Sequence, residues 1–181
     1  MHGRASTVTL LGLVIGLMAA CATAPATQEG KDELVRRAAA GLKAWDRAVP
    51  GIERFAQGNL GYIMFPEINK GGVGIGGAYG RGVVYARGQH IGYADLSLGS
   101  LGPQLGGQTY QELIVFADEA TFARFRRGRF DVTAATSMVL ATEGYAGALR
   151  TAGGAAILYR PTGGAMGELV LAAQHLTFAP K

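Results

Sequence analysis

Lys70-Gly71-Gly72-Val73-Gly74-Ile75-Gly76-Gly77-Ala78-Tyr79-Gly80-Arg81-Gly82-Val83-Val84 is the stretch whose period decides the fold. From Gly71 to Tyr79 the residues alternate, with Val73 and Ile75 on one face and Gly72, Gly74 and Gly76 on the other. That alternation belongs to a strand and not to a helix. Glycine at every second position leaves one face bare. Bare backbone lets a second layer approach closely or lets a sheet curve tightly, and the functional alternative is room for an acyl chain. Gly72, Gly74 and Gly77 also satisfy G-x-G-x-x-G, with Asp95 downstream. A dinucleotide site needs a helix to begin there and aim its N-terminus at the pyrophosphate. Tyr79 to Tyr85 is β-like instead, and no βαβ alternation follows, so this motif is rejected.

Upstream, Gly61 to Phe65 reads as a strand stopped by Pro66. Downstream, Gly82 to Ala86, Ile91 to Leu98 and Leu105 to Phe116 continue the β pattern, with a hairpin turn around Arg87-Gly88. Asp118 is placed to cap a short helix through about Arg127, with Gly128 as its stop. Val132 to Thr142, Ala155 to Arg160 and Glu168 to Phe178 read as further strands.

The helical signal lies earlier, from Asp32 to Val49. Leu34, Ala38, Leu42, Trp45 and Val49 form one stripe, and Pro50-Gly51 ends it. Arg36, Lys43 and Arg47 fall together on the opposite face. They suit a helix lying on anionic lipid, or simply the solvated back of a helix docked on its domain. Ile52 to Ala56 forms a short further turn. Helix first, then strands joined by glycine turns, predicts an α+β fold. It consists of an N-terminal amphipathic helix, a curved, barrel-like antiparallel sheet and one further short helix.

Residues 1–20 read as a signal peptide: Arg4 in a short positive region, Val8 to Met18 apolar, then Ala19-Ala20 before a cut. The apolar run is too short to span a bilayer. Met18-Ala19-Ala20-Cys21 resembles the bacterial lipobox, with Met where Leu is usual. That resemblance implies a diacylglycerol thioether on Cys21, cleavage before it and a further acyl chain such as palmitate. Several chains anchor firmly where one is marginal. Ala22 after the cysteine resembles the pattern sorted to the outer membrane. Residues 21–31, small and polar with Pro25, then form a lipidated, flexible tether, and residues 32–181 form one domain facing the periplasm. The alternative is an ordinary leader cut near Ala24 that leaves a thiol.

Composition narrows the function classes. The chain has 181 residues, 29 of them Gly, without a collagen period. Formal net charge is +4 and Arg4 leaves with the leader, so the mature part carries +3. That mild excess tolerates a phospholipid surface but lacks the dense basic stripe of a nucleic-acid binder. One cysteine excludes an internal disulfide or a cysteine metal site.

Gly61-Tyr62-Ile63-Met64-Phe65-Pro66, the stretch from Lys70 to Val84, Gly99-Ser100-Leu101-Gly102-Pro103-Gln104-Leu105-Gly106-Gly107-Gln108 and Glu112-Leu113-Ile114-Val115-Phe116 follow one another in an order that resembles the SYLF-domain family. The likeness runs from about Leu34 to the C-terminus. It implies a lipid-binding module. Relatives in eukaryotes bind phosphoinositides and, in fungi, actin; bacterial members are commonly exported or lipid-anchored. Actin is not expected in a periplasm, and phospholipid in general is what transfers. No SH3 or FYVE partner domain accompanies this chain.

Among candidate site residues, Arg124, Arg126, Arg127 and Arg129 crowd the end of the second helix. They complement its C-terminus, and their guanidinium groups also suit phosphate. Lys70, Arg81 and Arg87 lie near the glycine strands and could extend one headgroup surface. His2, His90 and His175 have no ligand-like spacing, so no metal or cofactor is expected; His90 sits at the hairpin as a solvated histidine. Ser97 and Ser100 lack G-x-S-x-G context, and Asp95 with Glu112 would make a carboxylate pair only if the strands align them. The reading is a non-enzymatic phospholipid-binding lipoprotein. The alternatives are an envelope structural or assembly protein docking a protein partner, and an envelope lipid hydrolase using Asp95 or Ser97.

Overall fold

The computed structural model describes residues 23–128, 130–132, 137–140, 154–164 and 174–181. Helix α1 spans Gln28–Ala48, α2 Ile52–Gln57 and α3 Glu119–Arg126; strands are β1 Gly61–Ala86, β2 Gln89–Phe116, β3 Asp131–Val132, β4 Ser137–Leu140, β5 Ala155–Gly164 and β6 Gln174–Pro180. The fold is α+β, as the pattern predicts. The strands expected at Val132 to Thr142 and Glu168 to Phe178 fall partly outside the described residues.

Two strands dominate. Where the sequence suggested short strands broken by Pro66 and by residues 99–104, β1 and β2 each run unbroken as one long antiparallel hairpin. Pro66 is tolerated because a register shift between Phe65 and Ile68 takes it out of the ladder with β2. The turn is Arg87-Gly88, with φ of 50° and 76°. Two positive φ values in a two-residue loop give the turn whose twist suits paired strands.

The sheet is not the barrel that was expected. β1 lines one edge of β2, while β6 and β5 share the other edge at Gly92–Ser97 and Gln108–Phe116. The path ends in short β3 and β4, the latter parallel to β5, and the ladder does not close. The glycines serve close approach instead. The two halves of β1 meet: Arg87 N donates to Leu60 O at 3.2 Å and the Tyr62 ring stacks on Tyr85 at 4.7 Å. A Cβ on Gly80 would lie 2.5 Å from Ile68, and one on Gly82 2.8 Å from Phe65, so neither position accepts a side chain without movement.

Each face of the sheet carries a core. On one, Leu34, Ala38, Leu42 and Trp45 of α1 pack with Tyr62, Met64, Leu113 and Val115. This is the predicted stripe, and its apolar residues are spent on the sheet and not on lipid. Each large side chain buried there contributes about 1.5–3 kcal/mol. On the other face Phe122 and Phe125 of α3 cover Ile63, Phe65, Ile114 and Phe116.

The chain before α1 is also placed. Thr27 caps the helix, accepting from Gly30 N at 3.1 Å, so residues 28–31, expected in the tether, form its first turn. Thr23 lies 3.0 Å, hydroxyl to hydroxyl, from Thr177 on β6.

Candidate functional site

The predicted headgroup residues do not share one surface. Lys70 is buried, opposite Gln108 in the ladder. Arg87 is exposed at the hairpin turn. Arg124, Arg126 and Arg127 are exposed on the last turn of α3, where Arg124 donates to Thr121 Oγ1 at 3.0 Å. Arg36, Lys43 and Arg47 are exposed along α1, with Arg36 paired to Glu33 at 2.6 Å. Cys21 and Arg129 lie outside the described residues, as do the leader and the lipobox.

Arg81 alone of that set lines a groove. The groove holds about 350 Å³ between α1 and β1, lined among others by Pro25, Glu33, Arg37, Glu67, Tyr79 and Arg81. Helical spacing puts Gly30, Glu33, Leu34 and Arg37 along its α1 wall. The bend that lays Gly80 against Glu67 brings two distant parts of β1 into its other wall. Arg37 donates to Glu67 at 2.9 Å, and Asn69 donates to the other Glu67 oxygen at 3.1 Å. Arg81 Nε donates to the Tyr79 hydroxyl at 2.8 Å and lies 3.6 Å from Asp95. Among the described residues, Tyr79 is the large hydrophobic one left exposed. Burial pushes the Asp95 carboxyl up to about 6, against the opposing pull of Arg81 and of hydrogen bonds from Tyr79, Arg81 and Thr23. Thr177, the register partner of Asp95, is the residue that holds Thr23 at the start of the described chain.

This arrangement offers guanidinium donors, carboxylate acceptors and an aromatic ring in an open cleft: a recognition surface for a small polar group. Sequence reasoning passed over Arg37, Glu33, Glu67 and Tyr79, because only the fold of β1 brings them together. The spacing of Arg37 from Glu33 and Leu34 on one side of α1 is the signal that could have marked that wall.

The other candidates resolve differently. Asp95 shares its face with Tyr93 of the α1 core, whereas Glu112 lies on the opposite face between core residues Tyr110 and Ile114, so the two carboxylates do not pair. Glu112 is fully buried, accepts from Gln174 Nε2 at 3.0 Å, and is pushed up to about 8 by burial, opposed by that bond. His90 is not a solvated turn residue. It is half-buried, packed against Tyr85 and edge-on to Tyr93 at 5.0 Å, with desolvation lowering its pKa. The turn is made by the two residues before it. Register sets Ser97 beside His175 and His175 beside Asp131. Ser97 and His175 are both exposed. A second open hollow, between α1 and α2, is lined by Asp46, which caps α2 by accepting from Gly51 and Glu53 N at 3.0 Å.

No group of side chains among the described residues is arranged to hold a metal ion, and no described helix is long and apolar enough to cross a membrane. Compared with protein-family models the chain matches none, and no curated protein matches it.

Proposed function

We propose that the protein is a non-enzymatic envelope lipoprotein, anchored in the outer membrane through Cys21, whose SYLF-like domain binds phospholipid headgroups in the Arg81–Tyr79 groove. The observation that carries this reading is the position of the groove. Pro25 forms part of its wall, and Thr23 is bonded to β6 beside Asp95. Two residues of chain reach at most about 7 Å. An acylated Cys21 would therefore hold Thr23, two residues before the Pro25 wall of the groove, close to the bilayer, on a leash far shorter than a flexible tether of eleven residues. The apolar stripe of α1 is already buried, so contact falls to polar groups. The lipobox and the ordered SYLF-like motifs support the same reading.

The test is to purify the mature protein from its native cell and analyse its amino end and its co-purifying lipid by mass spectrometry. Acyl chains on Cys21, and bound phospholipid that disappears in Arg81→Ala but persists in the triple Arg124→Ala, Arg126→Ala, Arg127→Ala variant, are expected. An unacylated protein that carries no phospholipid overturns the proposal.

A further inference from the structure

We infer that the groove selects a zwitterionic phosphoethanolamine headgroup over an anionic one; this rests on the phospholipid reading and adds the class of headgroup. The charges lining the groove balance. Arg37 and Arg81 line it with Glu33 and Glu67, and each charge has an opposite beside it: Arg37 and Glu67 at 2.9 Å, Arg81 and Asp95 at 3.6 Å, and Glu33 with Arg36 of the same helix at 2.6 Å. A surface built to attract anionic lipid needs an excess of cations. Here an incoming anion meets as many carboxylates as guanidinium groups, and a ligand that carries both signs gains from both.

The two signs are also ordered along the groove. Arg81 and Tyr79 lie at the end next to Asp95, whose register partner Thr177 is bonded to Thr23, the side from which an anchored lipid approaches. Arg37 and Glu67, bonded to each other at 2.9 Å, lie further along α1, with Glu33 one turn before Arg37. In a phospholipid the phosphate precedes the amine as one moves away from the acyl chains. Phosphate at Arg81 and the Tyr79 hydroxyl therefore puts the ammonium near Glu33 and Glu67. A carboxylate oxygen accepts more than one hydrogen bond, so Glu67 can accept from Arg37, Asn69 and an ammonium together. The amine recognised is a primary one. Its N–H groups match carboxylate acceptors, whereas a quaternary ammonium needs aromatic faces, and the Tyr79 ring already carries Arg81 at 5.8 Å from its centroid.

The test uses the full chain in nonionic detergent, titrated calorimetrically with short-chain lipids that differ only in headgroup: phosphoethanolamine, phosphocholine and phosphoglycerol. Water-soluble glycerophosphoethanolamine is a further arm. Phosphoethanolamine lipid binding about tenfold or more tighter than phosphoglycerol is expected, with the preference erased in Glu67→Gln and all binding weakened in Arg81→Ala. Both side chains are partly exposed, and unchanged circular dichroism melting shows that the variants stay folded. Phosphoglycerol binding as well or better, or a preference that survives Glu67→Gln, overturns the headgroup assignment and leaves the phospholipid reading standing. Binding to none of the lipids overturns both. Glycerophosphoethanolamine binding as tightly as the lipid overturns the membrane as its source.

Discussion

Replacing Glu112 by glutamine should make the protein more stable at neutral pH and flatten its pH dependence. Glu112 is fully buried, and its carboxyl is raised from 4.5 to about 8 chiefly by burial. The unfolded chain gives up this proton near pH 4.5, the folded chain only near pH 8, so between those values folding takes a proton up. The stability tied to this group is fully present below pH 4.5 and is lost as pH rises through 8. At about 1.36 kcal/mol per unit of separation, the loss at pH 7 reaches about 3 kcal/mol. Glutamine has nearly the same shape, carries no titrating proton, and its carbonyl can still accept from Gln174 Nε2. Urea unfolding of the chain from Ala22 onward, at pH 5, 6, 7 and 8, should show the wild type losing stability across that range. Glu112→Gln should lose less by about one proton's worth, about 1.4 kcal/mol per pH unit, and exceed the wild type at pH 7. Parallel curves for the two proteins, or a variant weakened equally at every pH, would refute the reasoning.

Gly82→Ala should cost about 1–3 kcal/mol in the same unfolding assay, because its methyl would enter within 3.0 Å of Phe65 and Ile63; an unchanged midpoint would show that the β1 halves are not pressed together there. Arg87→Gly should raise stability by about 1 kcal/mol, since arginine at φ 50° bears a strain that glycine does not; a loss of stability would contradict the turn geometry.

The local elements were legible because their signals are local. The α1 stripe, the Asp118 cap with its 2.8 Å bond from Thr121 N, and the Arg87-Gly88 turn all depend on neighbours a few residues away. Strand lengths were not. Pro66 and the glycines of 99–107 look like stops, and whether a proline breaks a strand depends on which edge has a partner. The barrel expectation failed for a related reason. Alternating glycine says that something comes close, and it does not say whether that is the far side of a barrel or the other half of the same strand. Arg81 was marked as a phosphate ligand from its neighbourhood in sequence, but its companions Arg37 and Glu67 are joined to it only by the bend of β1. Lys70, chosen by the same reasoning, is buried, because side-chain direction after the shift at Phe65 and Ile68 cannot be read from alternation.

The two-residue turn at Arg87-Gly88 has a consequence for how the chain reaches this state. The rungs between β1 and β2 follow one another outward from that point, with shifts of register at Val84/Tyr85, Val73/Ile75 and Phe65/Ile68, so zippering can start locally and proceed before any distant segment arrives. The late events are the slow ones: seating Phe65 on Gly82 and bringing Gln174 to Glu112, 62 positions away. A lesion at the turn would delay the nucleus itself, whereas a lesion at Glu112 would mainly hasten escape from the finished fold.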